Sequence, residues 1–168
     1  MRTNFFNTAW AAATGVLLLL PWAFAGHPGP ASSAPEERAI RALILEWRKA
    51  YQNHDAKQLA ALETPEVEVL DRFGKLRLPA GRNENETLWS DTFEAVSRST
   101  RPPTVTVDHI RFLRPDVALV QASWQFPEGI LLVDGDRIAP FSQVDTYVVI
   151  KSQNGWLIAA HNMQDKTP

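Results

Sequence analysis

From residue 36 onward the apolar positions follow two rhythms. Ile40, Leu43, Ile44, Trp47, Ala50 and Tyr51 fall on one stripe of a 3.6-residue period, which predicts an amphipathic helix ending near Gln52–Asp55. Ser33 with Glu36 three residues on fits a capping box, and Pro35 sits in the first turn, where its missing N–H does no harm. Asp55, with Gln58 three residues on, opens a second, shorter helix that buries Leu59 and Leu62 and stops at Thr64-Pro65. The period then switches to two. Residues 66–71 predict a strand with Val67, Val69 and Asp71 on one face, followed by a turn at Phe73-Gly74-Lys75 and a short strand over "LRLPAG". A third helix is predicted from about Asn83 to Arg98, with Leu88, Trp89, Phe93 and Val96 as its apolar face.

The remainder reads as strands over 104–113, 116–127, 130–138, 141–151 and 155–164, with a hairpin signal at Asp134-Gly135 and a turn at Gln153-Asn154-Gly155. The alternation changes phase between Val107 and Ile110, which predicts a β-bulge. Helices first and strands later argue for an α+β fold. Bulged, twisted strands curl the sheet, so the expectation is a cone-shaped, strongly curved antiparallel β-sheet wrapped on three N-terminal helices, with a pocket inside.

The first residues follow neither rhythm. Arg2, an apolar run from Ala9 to Leu20 and the small-x-small site Ala23-Phe24-Ala25 predict a signal peptide over residues 1–25, cleaved after Ala25. The run is short for a membrane span of about 20 residues. "GHPGPASSA" at 26–34 reads as a flexible tether, leaving one domain over 35–165. The protein is therefore expected to be exported, to the periplasm or beyond, with no membrane role after cleavage. Net charge is −2 for the whole chain and −3 without its first 25 residues, which hold Arg2 and no acid. With no basic tract, nucleic-acid binding has no electrostatic support. The chain has no cysteine, which excludes disulfides, thiolate catalysis and Cys-ligated metals. His27, His54, His109 and His161 show no ligand spacing, so neither a metal nor a cofactor is expected.

The inward phase of Asp71 raises the chemical question, because a carboxylate aimed at a core needs a reason. The segments "LILEWRKAYQNHDAKQLAAL", "VLDRFGKLRLPAGR", "IRFLRPDVALVQASW" and "NGWLIAAHN", in this order, resemble the nuclear transport factor 2-like superfamily. Within it the chain is similar to the SnoaL-like and ketosteroid isomerase-like branch, and to the small bacterial proteins of the SgcJ/EcaC type. The resemblance covers about residues 36–164 and implies a cystatin-like α+β roll. It also implies that Asp71 is the catalytic base, half-buried at a pocket wall. The alternative is an Asp that bonds the turn amides before Gly74. Trp47 stands where ketosteroid isomerases carry a tyrosine, so it is either a pocket wall or a single N–H donor. Asp145 stands near the family's second acid. Alternation does not decide which way it points, and pairing with Arg137 or Lys151 is the plain alternative. One of His161 and Asn162 points inward. Trp89, Phe93 and Trp124 complete the expected pocket lining.

The functional expectation is an exported protein that binds a small apolar ligand in a cone-shaped pocket. Cofactor-free acid/base chemistry of isomerase, cyclase or dehydratase type would run through Asp71. The alternative is a non-catalytic ligand-binding, dimerisation or accessory module. Both faces of the late strands are apolar, which predicts a homodimer through the outer face of strands 116–127, 141–151 and 155–164.

Overall fold

The computed structural model describes residues 34–98 and 101–166. The predicted signal peptide, the tether up to Ser33 and the Ser33 cap lie outside the described residues. Helix α1 (Ala34–Asn53) buries the predicted stripe, Ile40, Leu43, Ile44, Trp47 and Ala50. His54 takes a left-handed φ of 54° and breaks the chain between helices. Helix α2 (Ala56–Leu62) starts where Asp55 Oδ1 accepts the Gln58 amide at 2.9 Å, the expected cap.

Strand β1 (Glu63–Leu70) follows without a loop, and β2 (Leu76–Arg77) is shorter than "LRLPAG" suggested. Helix α3 (Arg82–Ala95) ends three residues before Arg98, because Val96 turns extended and bridges to Leu132. Strands β3 (Thr104–Arg114) and β4 (Val117–Phe126) follow. The predicted strand 130–138 is instead a separate small hairpin, β5 (Ile130–Leu131) and β6 (Arg137–Ile138), turning at Asp134-Gly135. Gly129 is required there. It has φ 70°, and a Cβ would meet the Ile138 carbonyl at 1.8 Å. Strands β7 (Phe141–Ser152) and β8 (Gly155–Asp165) complete the chain.

The main sheet runs β2-β1-β8-β7-β4-β3. It is antiparallel except that β1 lies parallel to β8, so the sheet is mixed rather than purely antiparallel. The β1–β8 register shifts between Glu63 and Glu68, the stretch holding Pro65, which has no N–H for the ladder. The expected bulge in β3 falls between Val107 and His109. Arg41 of α1 donates to the Val107 carbonyl at 2.8 Å, tying the helix to the sheet at that irregularity.

The inner sheet face presents Ala118, Val120, Ala122 and Trp124 from β4, then Tyr147 and Val149 from β7, against the helices. Each valine sealed there contributes about 1.5–3 kcal/mol. At the other end of α1, Glu36 accepts from Lys151 Nζ at 2.7 Å and from Trp156 Nε1 at 2.6 Å. Those bonds hold the Glu36 carboxyl below its usual pKa, the Lys151 bond most of all.

Candidate functional site: a cavity beneath the small hairpin

Three carboxylates lie in or beside the core, and their surroundings differ. Glu63 continues the buried stripe of Leu59 and Leu62 and is fully buried. Its Oε1 accepts from Trp47 Nε1 at 2.8 Å, and its Oε2 from Trp89 Nε1 at 2.8 Å and Asn85 Nδ2 at 3.0 Å. One carboxylate thus joins α1, α3 and the start of β1. Trp47 has a single N–H, and Glu63 takes it, so Trp47 is a wall and not a donor to a ligand. Asn85 is fully buried in the same cluster.

Asp145 is the second. It shares the inward face of β7 with Gln143, Tyr147 and Val149, all buried. Its Oδ1 accepts from Gln143 Nε2 at 2.7 Å, and its Oδ2 accepts from the Tyr147 hydroxyl at 2.9 Å. His161 Nε2 lies 2.8 Å from the same Oδ2. Trp124 Nε1 donates to the Tyr147 hydroxyl at 3.0 Å, which extends the chain of donors. Burial, and then the Asp145 charge, push Tyr147 well above the usual tyrosine pKa. Neither of the expected partners serves Asp145, since Arg137 donates to the Glu128 carbonyl and Lys151 pairs with Glu36. A register shift in β8 opposite Val148 and Val149 brings Trp156, Ile158 and His161 to the inside. Asn162 therefore sits on the opposite, outer face, away from the cavity.

Between these two networks and the small hairpin lies a cavity of about 200 Å³. Trp47, Trp89, Trp124, Phe126, Phe141 and Met163 give it aromatic and apolar walls, and Ile130, Leu132 and Ile138 cover it from the hairpin side. His161 lines it as well, with Nδ1 buried and unpartnered. Phe93 and Asp145 do not line it. Phe93 packs on Tyr51 and stacks on His54 at 4.5 Å, and Asp145 is sealed within its own network.

Asp71, the third carboxylate, lines the cavity. Its Oδ1 accepts from the Phe73 and Lys75 amides, both at 3.0 Å, so the turn-capping alternative describes that oxygen. Its Oδ2 has one long contact, 3.4 Å from Arg77 Nη2, and keeps an open lone pair. The neighbouring Arg72 also lines the cavity, with Nη2 on Asp165 at 2.7 Å and its guanidinium carbon over the Phe141 ring, 3.6 Å from the centroid.

Tyr51, read from the sequence as a member of the helix stripe, lines the cavity too, stacked on Trp47 at 5.6 Å. Its hydroxyl has no hydrogen-bond partner among the described residues. Burial, with the Asp145 charge second, pushes its pKa up to about 12, so it stays protonated and able to donate. Among the described residues no group of three or more His, Asp or Glu is placed to hold a metal ion.

Solved structures match this architecture across most of both chains. A ketosteroid isomerase-like protein from Erwinia carotovora atroseptica superposes with a TM-score of 0.68 at 16% identity, covering 81% of this chain and 100% of that one. A nuclear transport factor 2-like superfamily protein from Salmonella enterica serovar Typhimurium gives 0.64 at 16% identity, covering 82% and 95%. The chain has the nuclear transport factor 2-like fold. A cystatin-like-fold domain from Nostoc punctiforme gives 0.63 at 19% identity over 82% of this chain and 81% of that one. No family model matches the sequence, and no curated protein matches it.

Trp47, Asp145 and Asn162, all expected from the sequence to line the pocket, present no free donor to the cavity in this version of the nuclear transport factor 2-like fold. The Trp47 N–H is committed to Glu63, Asp145 only accepts, and Asn162 lies on the other face. Tyr51, one helical turn beyond Trp47, brings a hydroxyl to the cavity instead.

Proposed function

We propose that this protein binds a compact, largely apolar small molecule in the cavity beneath the β5–β6 hairpin. The observation that carries this reading is the cavity itself: a preformed hollow of about 200 Å³, walled by aromatic rings and edged by few polar groups. An engineered apolar cavity of about 150 Å³ takes benzene, so the ligand has the size of one ring or a short branched chain. Thermal denaturation in increasing p-cresol tests this. Binding raises the melting temperature along a saturating curve. A melting temperature that does not move with p-cresol, indole or cyclohexanol removes the proposal.

The free lone pair on Asp71 Oδ2 favours a further step at the same site, cofactor-free proton transfer. Asp71 takes a proton from a carbon beside a carbonyl, and the Tyr51 hydroxyl donates to the oxygen that gains charge. Asp71→Asn then abolishes turnover of an enolisable ketone and retains binding, whereas unchanged turnover excludes Asp71 as the base. Two expectations from the sequence stay within this proposal. Export rests on residues 1–25. Homodimerisation rests on the outer sheet face, where Val144, Val148, Ile150 and Leu157 are only half-buried in one chain. Light scattering that gives a dimer mass supports the second, and a monomer mass at micromolar concentration excludes it.

A further inference from the structure

From the groups at the edge of this cavity we infer that its ligand carries a carboxylate, or another planar oxyanion, received by Arg72 and Arg77. This rests on the binding reading above and names the ligand's class. Both arginines line the cavity, on and beside the turn that joins β1 to β2. Arg72 is the fixed member. Its side chain is 13% exposed, its guanidinium lies over the Phe141 ring, and Nη2 is on Asp165. Its Nε and Nη1 are nonetheless buried with no partner, and so is Arg77 Nε. A buried guanidinium N–H without an acceptor is costly, and a protein that keeps three such groups beside one hollow has left an acceptor to be supplied.

Arg77 is the accessible member. Its side chain is 31% exposed, and its contact with Asp71 is long, at 3.4 Å. The two carboxylates nearby offset part of this charge but fill none of the three free N–H groups. Asp165 is 51% exposed, so water screens its charge, and Asp71 Oδ1 is shared between two turn amides. Beyond the arginines the walls are Trp47, Trp89, Trp124 and Phe126, which offer an apolar body its surface. The complement of this layout is an amphipathic acid with one charged end and one ring or short chain. Guanidinium meets planar oxyanions better than any other side chain does.

The test is calorimetric titration of the whole protein with 3-phenylpropionate and with its neutral isostere 3-phenylpropionamide, at low and high salt. The acid should bind about tenfold more tightly or better at low salt, the scale of a charge-assisted hydrogen bond. Raised salt should shrink that preference. In Arg77→Gln and Arg72→Gln the acid-to-amide ratio should fall towards one. Arg72 also steadies the turn, so Arg77→Gln, at a partly exposed position, carries the test if Arg72→Gln loses its native circular dichroism. Equal affinities in the wild type overturn the oxyanion inference and leave the binding reading intact. A preference that survives in both variants overturns it as well. If neither compound binds and p-cresol fails too, the binding reading falls and takes this inference with it.

Discussion

Glu63 and Asp145 on one side, and Asp71 on the other, are carboxylates within the same small domain doing different work. Glu63 and Asp145 are 0% and 1% exposed, and each is held at both oxygens by three side-chain groups from separate positions in the chain. Asp71 sits at the edge of the cavity with one oxygen bound to its own turn and the other almost unpaired. A carboxylate sealed in the core, with both oxygens bonded to side chains from distant positions, holds elements together and presents neither oxygen to a ligand. One with a free lone pair beside a hollow contributes little to the fold and keeps its chemistry. Burial alone therefore does not single out the candidate acid here; an oxygen left with one long contact beside the hollow does.

This contrast can be broken first at Glu63. Glu63→Ala leaves two indole N–H groups and one amide without an acceptor and opens a void where three elements meet. The expected loss is about 3–5 kcal/mol of unfolding free energy, read from the urea midpoint. Asp145→Asn ranks second. Its amide nitrogen must face one of three donors, so a loss of about 1–3 kcal/mol is expected by the same measurement. Third, alkali tests the same network. Folded Tyr51 ionises at about 12 against 10.0 for an ordinary tyrosine, and Tyr147 lies well above its ordinary value. Between those values the unfolded chain loses protons that the folded chain retains, so stability present below pH 10 falls as pH rises towards 12. Absorbance at 295 nm should show no phenolate near pH 10 in the native protein; ionisation there contradicts the buried, anion-facing placement of both rings. The smallest effect on stability belongs to Asp71→Asn, at under about 1 kcal/mol, because the amide oxygen still accepts both turn N–H groups and the lost Arg77 contact is weak. A large destabilisation by that substitution would put Asp71 with the structural acids and end the contrast.

The parts of this fold legible in the sequence are those written in local period. The α1 stripe, the Asp55 cap and the phase change near Val107 each leave a trace within a few residues, and the structure has all three. The parallel pairing of β1 with β8 leaves none, since its partners lie some ninety positions apart, as Val69 and His161 do. The shift that sends His161 inward and Asn162 outward passes through Ala159-Ala160, with no Gly or Pro to mark it. The site was legible in part. Asp71 and three tryptophans were singled out from phase and resemblance and border the cavity, while Phe93, Asp145 and Asn162 do not. Glu63 lies on the stripe of Leu59 and Leu62, yet a charged residue at a helix end reads as surface, and its burial shows only in the structure. Tyr51 reads as a packing member of the α1 stripe, since no local pattern tells a core ring from a cavity ring.

If the hollow beneath the hairpin is a binding site, filling it should abolish binding. Leu88 lines it from α3, so Leu88→Trp should occupy the space without touching either buried carboxylate. In calorimetric titration with p-cresol, the wild type should bind at one site per chain and the filled variant should not bind. Equal binding by the two proteins, or none by the wild type, would contradict the account.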